Sequence, residues 1–138
     1  MENLNLTKAQ ACAVVANIFA ESKFNEKLYN RAEDAQGLAQ WRAPRRNHKN
    51  FLKLSFEDQL AFLVKDLQTE GTWNKAGGLK KLRTMNSPSA AAQFIDQHFE
   101  RSDGQSRSAR AELAEQYYRV LHRRGGKLGL SYGNNRQR

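Results

Sequence analysis

Apolar residues recur at helical spacing along much of the chain, and this pattern predicts a mainly α-helical protein. The first helix is expected to begin after Thr7 and to end near Ser22. Thr7 and Gln10 have the spacing of a capping box, in which each side chain accepts a hydrogen bond from the other residue's backbone N–H. The apolar stripe of this helix consists of Ala11, Val14, Val15, Ile18 and Phe19.

Further helices are predicted wherever a cap or proline precedes apolar residues at helical spacing. The clearest is a third helix that Ser55 caps, with Phe56, Leu60, Leu63, Val64 and Leu67 on one face. The other predicted helices are a short basic helix from Pro44 through Phe51, one or two turns over Leu79 to Arg83, a helix opened by Ser87 and Pro88, and a last helix from about Ala109 to His122.

Between Lys23 and Gln40 the helical spacing fades and turn-forming residues take its place. Few segments of the chain alternate between apolar and polar residues. We therefore predict a single mainly α domain of about six helices, with at most one small β-hairpin between the first and second helices.

Length and composition agree with one globular domain. The chain has 138 residues, of which 39% are hydrophobic and 27% charged, enough to close one core. No apolar stretch could span a bilayer, and residues 1–10 show no secretory signal. Cys12 is the only cysteine and is expected to be buried, so an internal disulfide is excluded. His48 and His98 lack partners at metal-ligand spacing, and we expect no metal or other cofactor.

The charge is strongly positive and unevenly placed. The net charge of +9 indicates affinity for polyanions such as nucleic acid, anionic lipid or bacterial envelope polymers. Residues 123–138 are basic and glycine-rich and contain no acid. We predict a folded domain over residues 1–122 and a flexible tail over 123–138, which is either a disordered end or an electrostatic anchor to anionic envelope polymers.

Glu21 has the position expected of a general acid. On a helical wheel it lies about 20° from Val14, at the edge of the apolar stripe. Half-burial and the negative end of the helix dipole both raise the pKa of a carboxyl in a last turn. A glutamate with a raised pKa can donate a proton near neutral pH. The alternative is a solvated glutamate at a helix end.

Two ordered motifs connect this glutamate with a known superfamily. Glu21-Ser22-Lys23-Phe24-Asn25 closes the first helix, and Gly37-Leu38-Ala39-Gln40-Trp41 follows after a polar loop. The pair resembles motifs of the lysozyme superfamily, which goose-type lysozymes and lytic transglycosylases share. The Asn after the Phe, the Trp after the Gln and the pair Arg45-Arg46 resemble the bacteriophage tail lysozyme family more closely, and the similarity extends over most of Leu6 to Tyr118.

This resemblance implies a lysozyme-like domain whose hairpin lies beside an active-site cleft. Glu21 would protonate the glycosidic oxygen between N-acetylmuramic acid and N-acetylglucosamine. Ser22 and Gln40 would orient the acid or the substrate, and Trp41 would form a wall of the groove or else belong to the core. Arg45 and its basic neighbours would attract the acidic groups of the substrate or form a solvated face.

A second carboxylate is expected on the loop before the second motif, because most glycosidases use two. Glu33 and Asp34 are the candidates, and Asp34 is preferred for its expected proximity to the cleft, although it could simply form a turn. If neither serves, the substrate's own hydroxyl would attack, as in lytic transglycosylases. Their Ala-Tyr-Asn motif has no clear match here, which favours hydrolysis.

The resemblance also implies a partner and a place of action. The partner would be the glycan strands of peptidoglycan, attacked by a monomer that is made in a host cytoplasm. The protein would reach the cell wall after holin release or as part of a virion. Two non-enzymatic alternatives are a basic nucleic-acid-binding protein and an inactive virion component. Glu100 with Arg101, Arg107 and Arg110 is expected to form ion pairs that brace the last helix.

Overall fold

The computed structural model describes residues 4–43, 45–46 and 50–128, and most of these residues are α-helical. The helices, in chain order, are α1 (Lys8–Ser22), α2 (Phe56–Thr69), α3 (Gly71–Lys75), α4 (Gly78–Leu82), α5 (Pro88–Ile95) and α6 (Arg107–Leu128). Helix α5 continues directly into a π-helical turn, Asp96–Glu100. A 3-10 turn, Phe51–Lys53, precedes α2. The predicted mainly α fold class is confirmed.

The helix starts follow from local capping chemistry. The Thr7 hydroxyl accepts from the Gln10 N–H at 3.2 Å, and the Thr7 N–H donates to Gln10 Oε1 at 3.0 Å, which completes the predicted capping box. Ser55 and Ser87 each accept a hydrogen bond from the backbone N–H three residues later. Pro88 occupies the first turn of α5, where its missing N–H costs no hydrogen bond.

A small antiparallel sheet lies between α1 and α2. Its strands are β1 (Tyr29–Asn30), β2 (Ala35–Gln36) and β3 (Trp41–Arg42), in the order β1-β2-β3. The predicted hairpin is present as β1 and β2, and β3 extends it by a third strand. Asp34 and Gly37 adopt positive φ angles of 52° and 82°, and these turns let three two-residue strands fold back on one another.

Helices α1, α5 and α6 pack against one another and form the part of the core that supports the cleft. Fully buried alanines occupy their contact faces, namely Ala13 and Ala16 of α1, Ala91 and Ala92 of α5, and Ala114 of α6. The distance between packed helices depends on the size of the side chains at the contact. The alanines therefore allow the three helices to approach closely.

Aromatic residues form two further clusters in the core. Trp73 packs against Phe94 and Phe99, with ring centroids 5.0 and 5.5 Å apart. Trp41 packs edge-on against Phe51 and Phe62 at 5.1 and 5.0 Å. The second cluster fixes β3 and the 3-10 turn against α2, so the sheet is held to the helical body.

Two predicted helix boundaries differ from the observed ones. Helix α6 extends to Leu128 and not to about His122, because a glycine weakens a helix without necessarily ending it. The predicted helix from Pro44 through Phe51 falls partly on Pro44 and residues 47–49, outside the described part of the chain. Arg45 and Arg46 form a turn, and Phe51 begins the 3-10 turn. Of the predicted tail, residues 129–138 also lie outside the described part.

No helix within the described ranges combines the length and the apolar character that crossing a bilayer demands.

Candidate active site

A cleft of about 290 Å³ lies where three helix ends meet the small sheet. The end of α1 contributes Glu21, the strands and their turns contribute Glu33 and Gln40, and the end of the π-helical turn contributes Glu100. Arg110, near the start of α6, completes this side of the cleft. The other lining residues are Ala20, Asn30, Arg42, Ser102, Asp103 and Ser106.

Glu21 is partly buried and bound to a guanidinium. Its side chain is 16% exposed, and Arg110 Nη2 donates to its Oε2 at 2.7 Å. Burial raises the pKa of Glu21 above its usual value, and the negative charges of Asp96 and Glu33 raise the pKa further. The charge of Arg110 and its hydrogen bond oppose this shift without reversing it. The surroundings of Glu21 therefore raise its pKa, in the same direction as its position in the sequence predicted.

Arg110 is the centre of a buried polar network that connects all three helices. Its Nη1 donates to Asn17 Oδ1 at 2.8 Å and lies 3.2 Å from Asp96 Oδ1. Its Nε donates to Ser106 Oγ at 2.8 Å. Asn17 is fully buried, and its amide also donates to backbone carbonyls of α1 and α5. These contacts hold in place the guanidinium that binds Glu21.

Asp96 is the second buried anion of this network. It is inaccessible to solvent, and Arg107 Nε donates to its Oδ2 at 2.9 Å. Arg107 and Arg110 therefore brace α6, as predicted, but they pair with Asp96 and not with Glu100. Arg101 pairs with Glu70 at 2.9 Å, which joins the π-helical turn to the start of α3.

Glu100 lines the same cleft as Glu21. Its Oε2 is buried and has no hydrogen-bond partner among the residues that the structure describes. Burial raises the pKa of Glu100 well above its usual value, and the nearby charge of Glu21 raises it further. The sequence indicated a charged cluster here but gave no sign that this carboxyl would face Glu21.

The two candidates for a second carboxylate lie in different surroundings. Glu33 lines the cleft, and its carboxylate pairs with Arg42. Asp34 does not line the cleft, and its side chain binds Arg46 Nη2 at 3.2 Å and the hydroxyl of Tyr29 at 3.3 Å. The reason for preferring Asp34, its expected proximity to the cleft, is therefore wrong, because the turn at Asp34 directs its carboxylate to Arg46.

Gln40 reaches the cleft through a strained turn. It has a φ of 53°, and its Nε2 donates to the carbonyls of Gly37 and Leu28 at 2.9 and 3.1 Å. Gly37 has a φ of 82°, and a Cβ added there would lie 2.5 Å from Gln59 Oε1. The same oxygen accepts from the Leu38 N–H at 2.8 Å. Glycine is therefore required by both backbone angle and space.

Three of the predicted substrate-binding residues lie away from the cleft, namely Ser22, Trp41 and Arg45. Ser22 is buried, and its hydroxyl donates to the Ile18 carbonyl at 3.1 Å. Trp41 is 2% exposed, and its Nε1 donates to Asp66 Oδ2 at 2.9 Å. Trp41 is therefore a core tryptophan and not a wall of the groove, because its indole packs between the sheet and α2.

Arg45 also contacts residues of the protein interior and not the cleft. Its Nε donates to Asp66 Oδ2 at 3.0 Å, its Nη1 donates to the Phe99 carbonyl at 2.6 Å, and its guanidinium lies 4.3 Å from the centre of the Phe99 ring. Through these contacts it fixes the turn after β3 against the helical body. Arg42 is the basic residue of this segment that lines the cleft.

The network residues that sequence reasoning missed carry one weak signal. Asn17 and Glu21, Asp96 and Glu100, and Ser106 and Arg110 are three pairs of polar residues spaced four positions apart. Residues at this spacing share one face of a helix. The spacing shows that each pair shares a face, but only the folded structure shows that the three faces meet.

Within residues 4–43, 45–46 and 50–128, the structure contains no group of three or more His, Cys, Asp and Glu side chains that could hold a metal ion.

Comparison with known proteins identifies the family. A search of curated proteins gave no match to this chain. The phage tail lysozyme family matches residues 1–121, which include α1, the whole sheet, α5 and α6 as far as Leu121. This match covers most of the 138 residues and both motifs around Glu21 and Gln40. The chain therefore belongs to the phage tail lysozyme family.

Proposed function

We propose that this protein is a glycosidase that hydrolyses the glycan strands of bacterial peptidoglycan, with Glu21 as its general acid. The bond cleaved joins C1 of N-acetylmuramic acid to the 4-oxygen of N-acetylglucosamine. The observation that carries the proposal is the partly buried Glu21 carboxyl with a raised pKa in a polar cleft. Family membership supports the same substrate class.

The surroundings of Glu21 suit a proton donor that must also become an anion. Burial and neighbouring carboxylates favour the protonated form before reaction. When the proton passes to the leaving oxygen and the C1–O bond breaks, Glu21 becomes negative, and Arg110 at 2.7 Å stabilises this charge. A catalytic acid works best when its pKa lies near the working pH. Burial and the neighbouring carboxylates raise the pKa of Glu21, and Arg110 limits this rise.

Glu33 is the better placed of the two predicted partners for Glu21. It lines the cleft, whereas Asp34 does not. We propose that Glu33 accepts a proton from the water that attacks C1, so that the water oxygen forms the new bond to C1 and the released proton passes to the carboxylate. Its carboxylate pairs with Arg42, which also lines the cleft.

The same pairing with Arg42 supports a second candidate, lytic transglycosylation. If Arg42 holds Glu33 away from the attacking water, a hydroxyl of the muramic acid itself attacks C1. The products then differ by one water molecule, because hydrolysis adds water to the cleaved bond and transglycosylation leaves an anhydro ring.

The experiment is mass spectrometry of purified peptidoglycan after incubation with the protein. Soluble muropeptides with reducing N-acetylmuramic acid ends are expected. Anhydromuramic ends would favour transglycosylation, and reducing N-acetylglucosamine ends would show that the other glycosidic bond is cleaved. Undigested glycan would contradict the enzymatic proposal.

A further inference from the structure

Glu100 is a carboxyl group of the cleft for which the proposed reaction has no role. It ends the π-helical turn, and its buried Oε2 has no hydrogen-bond partner among the described residues. A buried polar atom without a partner is uncommon in folded proteins and calls for an explanation. A deprotonated carboxylate in this position is expensive, because burial removes its solvation.

The neighbouring cations are already engaged by other groups. Arg110 binds Glu21, Asp96 and Asn17, and Arg107 binds Asp96. The charge of Arg45 also acts on Glu100, but Arg45 forms an ion pair with Asp66. Among the described residues, these contacts leave Glu100 without a dedicated counterion.

The charges of the cluster indicate that one proton is retained. Three carboxyls, those of Glu21, Asp96 and Glu100, interact with the charge of Arg110, and Arg107 adds a second guanidinium through its pair with Asp96. Asp96 contacts both guanidiniums, which stabilise its ionised form. One added proton neutralises the cluster, and the two carboxyls available to carry it are Glu21 and Glu100.

We propose that Glu21 and Glu100 form a coupled pair that shares one proton, and that Glu100 is a positioning residue that keeps the proton available to Glu21. When the proton is on Glu21, the negative charge of Glu100 resists its loss to solvent. When it is on Glu100, the Arg110 ion pair stabilises the ionised Glu21. Two strongly interacting acids of this kind titrate as a pair and not as independent groups.

Only the catalytic role of the Glu21–Glu100 pair rests on the proposed function. The sharing of the proton can be measured without enzymatic activity. The experiment is an NMR titration of the side-chain carboxyl carbons in protein labelled with ¹³C-glutamate. It compares the wild type, Glu21→Gln, Glu100→Gln and the control Glu112→Gln, which removes an exposed carboxyl of α6.

The titration midpoint of each carboxyl should fall when the other carboxyl is replaced by a neutral amide. We expect a downward shift of at least about half a pH unit for Glu100 in Glu21→Gln and for Glu21 in Glu100→Gln. The control Glu112→Gln should leave both midpoints unchanged. Midpoints that do not depend on the other carboxyl would overturn the proposal. If Glu100→Gln fails to fold, the titration of Glu100 in Glu21→Gln still decides.

A pH profile tests the catalytic role separately. In Glu100→Gln, the alkaline limb of peptidoglycan digestion should move to lower pH, because Glu21 then loses its proton more readily. An unmoved limb would contradict the positioning role even if the variant were less active at every pH. If the wild type digests no peptidoglycan, the proposed function fails, while the NMR titration still tests the shared proton.

Discussion

Glu21 lies between two opposing influences, and the balance between them decides its chemistry. Burial and two nearby carboxylates raise its pKa, whereas Arg110 lowers it. A carboxyl without Arg110 would hold its proton more tightly and would form a less stable anion after donating it. Arg110 is therefore part of the catalytic acid that we propose, together with the carboxyl group of Glu21.

Replacing Arg110 should destabilise the protein strongly. Arg110→Gln leaves Asp96 and Glu21 with fewer cationic partners, and breaking a buried ion pair costs about 3–5 kcal/mol. The matched control is Arg42→Gln, because Arg42 is 58% exposed and its pair with Glu33 should contribute no more than about 1 kcal/mol. Urea denaturation followed by circular dichroism measures both. Equal losses of stability in the two variants would contradict the central position of Arg110.

The second carboxylate provides a functional comparison between adjacent residues. We expect Glu33→Gln to reduce the rate of peptidoglycan hydrolysis by at least about a hundredfold, the usual lower range for removing a general base. Asp34→Asn should have a much smaller effect, because Asp34 contacts Arg46 outside the cleft. Initial rates on purified peptidoglycan measure the difference. A larger loss in Asp34→Asn would return the role to that residue.

At this scale the sequence predicts some roles better than others. The position of Glu21 at the edge of an apolar stripe already indicates half-burial and a raised pKa. The charges of Asp96 and Glu33, which raise the pKa further, come from other elements. The role of Trp41 could not be predicted in the same way, since an indole next to a cleft motif may face either side of its strand. Its burial depends on Phe51, Phe62 and Asp66, which lie farther along the chain.

Helix ends are the elements that assemble the cleft. The last turn of α1, the π-helical turn after α5 and the first turns of α6 bring their polar residues to one place. The small alanines between these helices permit the close approach on which the Asn17–Arg110 contact depends. The sheet and its turns close the opposite side with Glu33 and Gln40.

The turn at Gly37 is the element most sensitive to a single methyl group. Gly37→Ala introduces a Cβ 2.5 Å from Gln59 Oε1 and 2.7 Å from Phe51 Cε2, at a positive φ that disfavours alanine. We expect it to lower the free energy of unfolding by at least about 2 kcal/mol.

The matched control for this change is Gly71→Ala at the start of α3, where an added Cβ meets nothing within 4 Å. Alanine there should leave stability unchanged or raise it by about 0.5 kcal/mol. Thermal unfolding of both variants tests the comparison. Similar melting temperatures for the two would show that the turn tolerates a side chain.

The starts of α1, α2 and α5 could be predicted from the sequence because their causes are local. Thr7, Ser55 and Ser87 each cap a helix through a residue three positions away. The end of α6 could not be predicted, because Gly125 and Gly126 suggested a break and the helix nevertheless continues to Leu128. The third strand was missed as well, since a two-residue strand is too short to show an alternating pattern.

On the scale of the whole molecule, buried acids make stability depend on pH. The pKa of Glu100 is raised well above the usual 4.5, and that of Glu21 is also raised. The folded protein therefore binds more protons than the unfolded chain above about pH 4.5, and its stability falls as the pH rises through this range. Basic composition does not cause this loss, since lysine and arginine stay charged throughout.

We expect the wild type to melt at a lower temperature at pH 8 than at pH 5, and Glu100→Gln to reduce this difference. Calorimetry across the pH range measures it. The exposed variant Glu112→Gln should keep the wild-type slope. Stability that rises with pH in the wild type would contradict the raised pKa values of the cleft acids.

The overall architecture was predictable to a greater extent than the cleft. Periodicity and caps depend on residues within one or two helical turns, whereas the cleft depends on contacts such as Arg110 with Glu21, which are 89 positions apart. No property of either residue alone identifies the other as its partner. Motif resemblance supplied Glu21 and Gln40. The folded structure added Asn17 and Asp96, and it brought Glu100 and Arg110, which the sequence indicated only as part of a charged cluster, into the cleft.

The most direct test of Glu21 as the acid is the activity of Glu21→Gln on purified peptidoglycan. The amide is nearly isosteric with the carboxyl but cannot donate the required proton. With Glu112→Gln as control and circular dichroism to verify folding, we expect a loss of at least about a hundredfold in the initial rate of glycan cleavage. A folded Glu21→Gln that cleaves peptidoglycan at a rate close to that of the wild type would contradict the account.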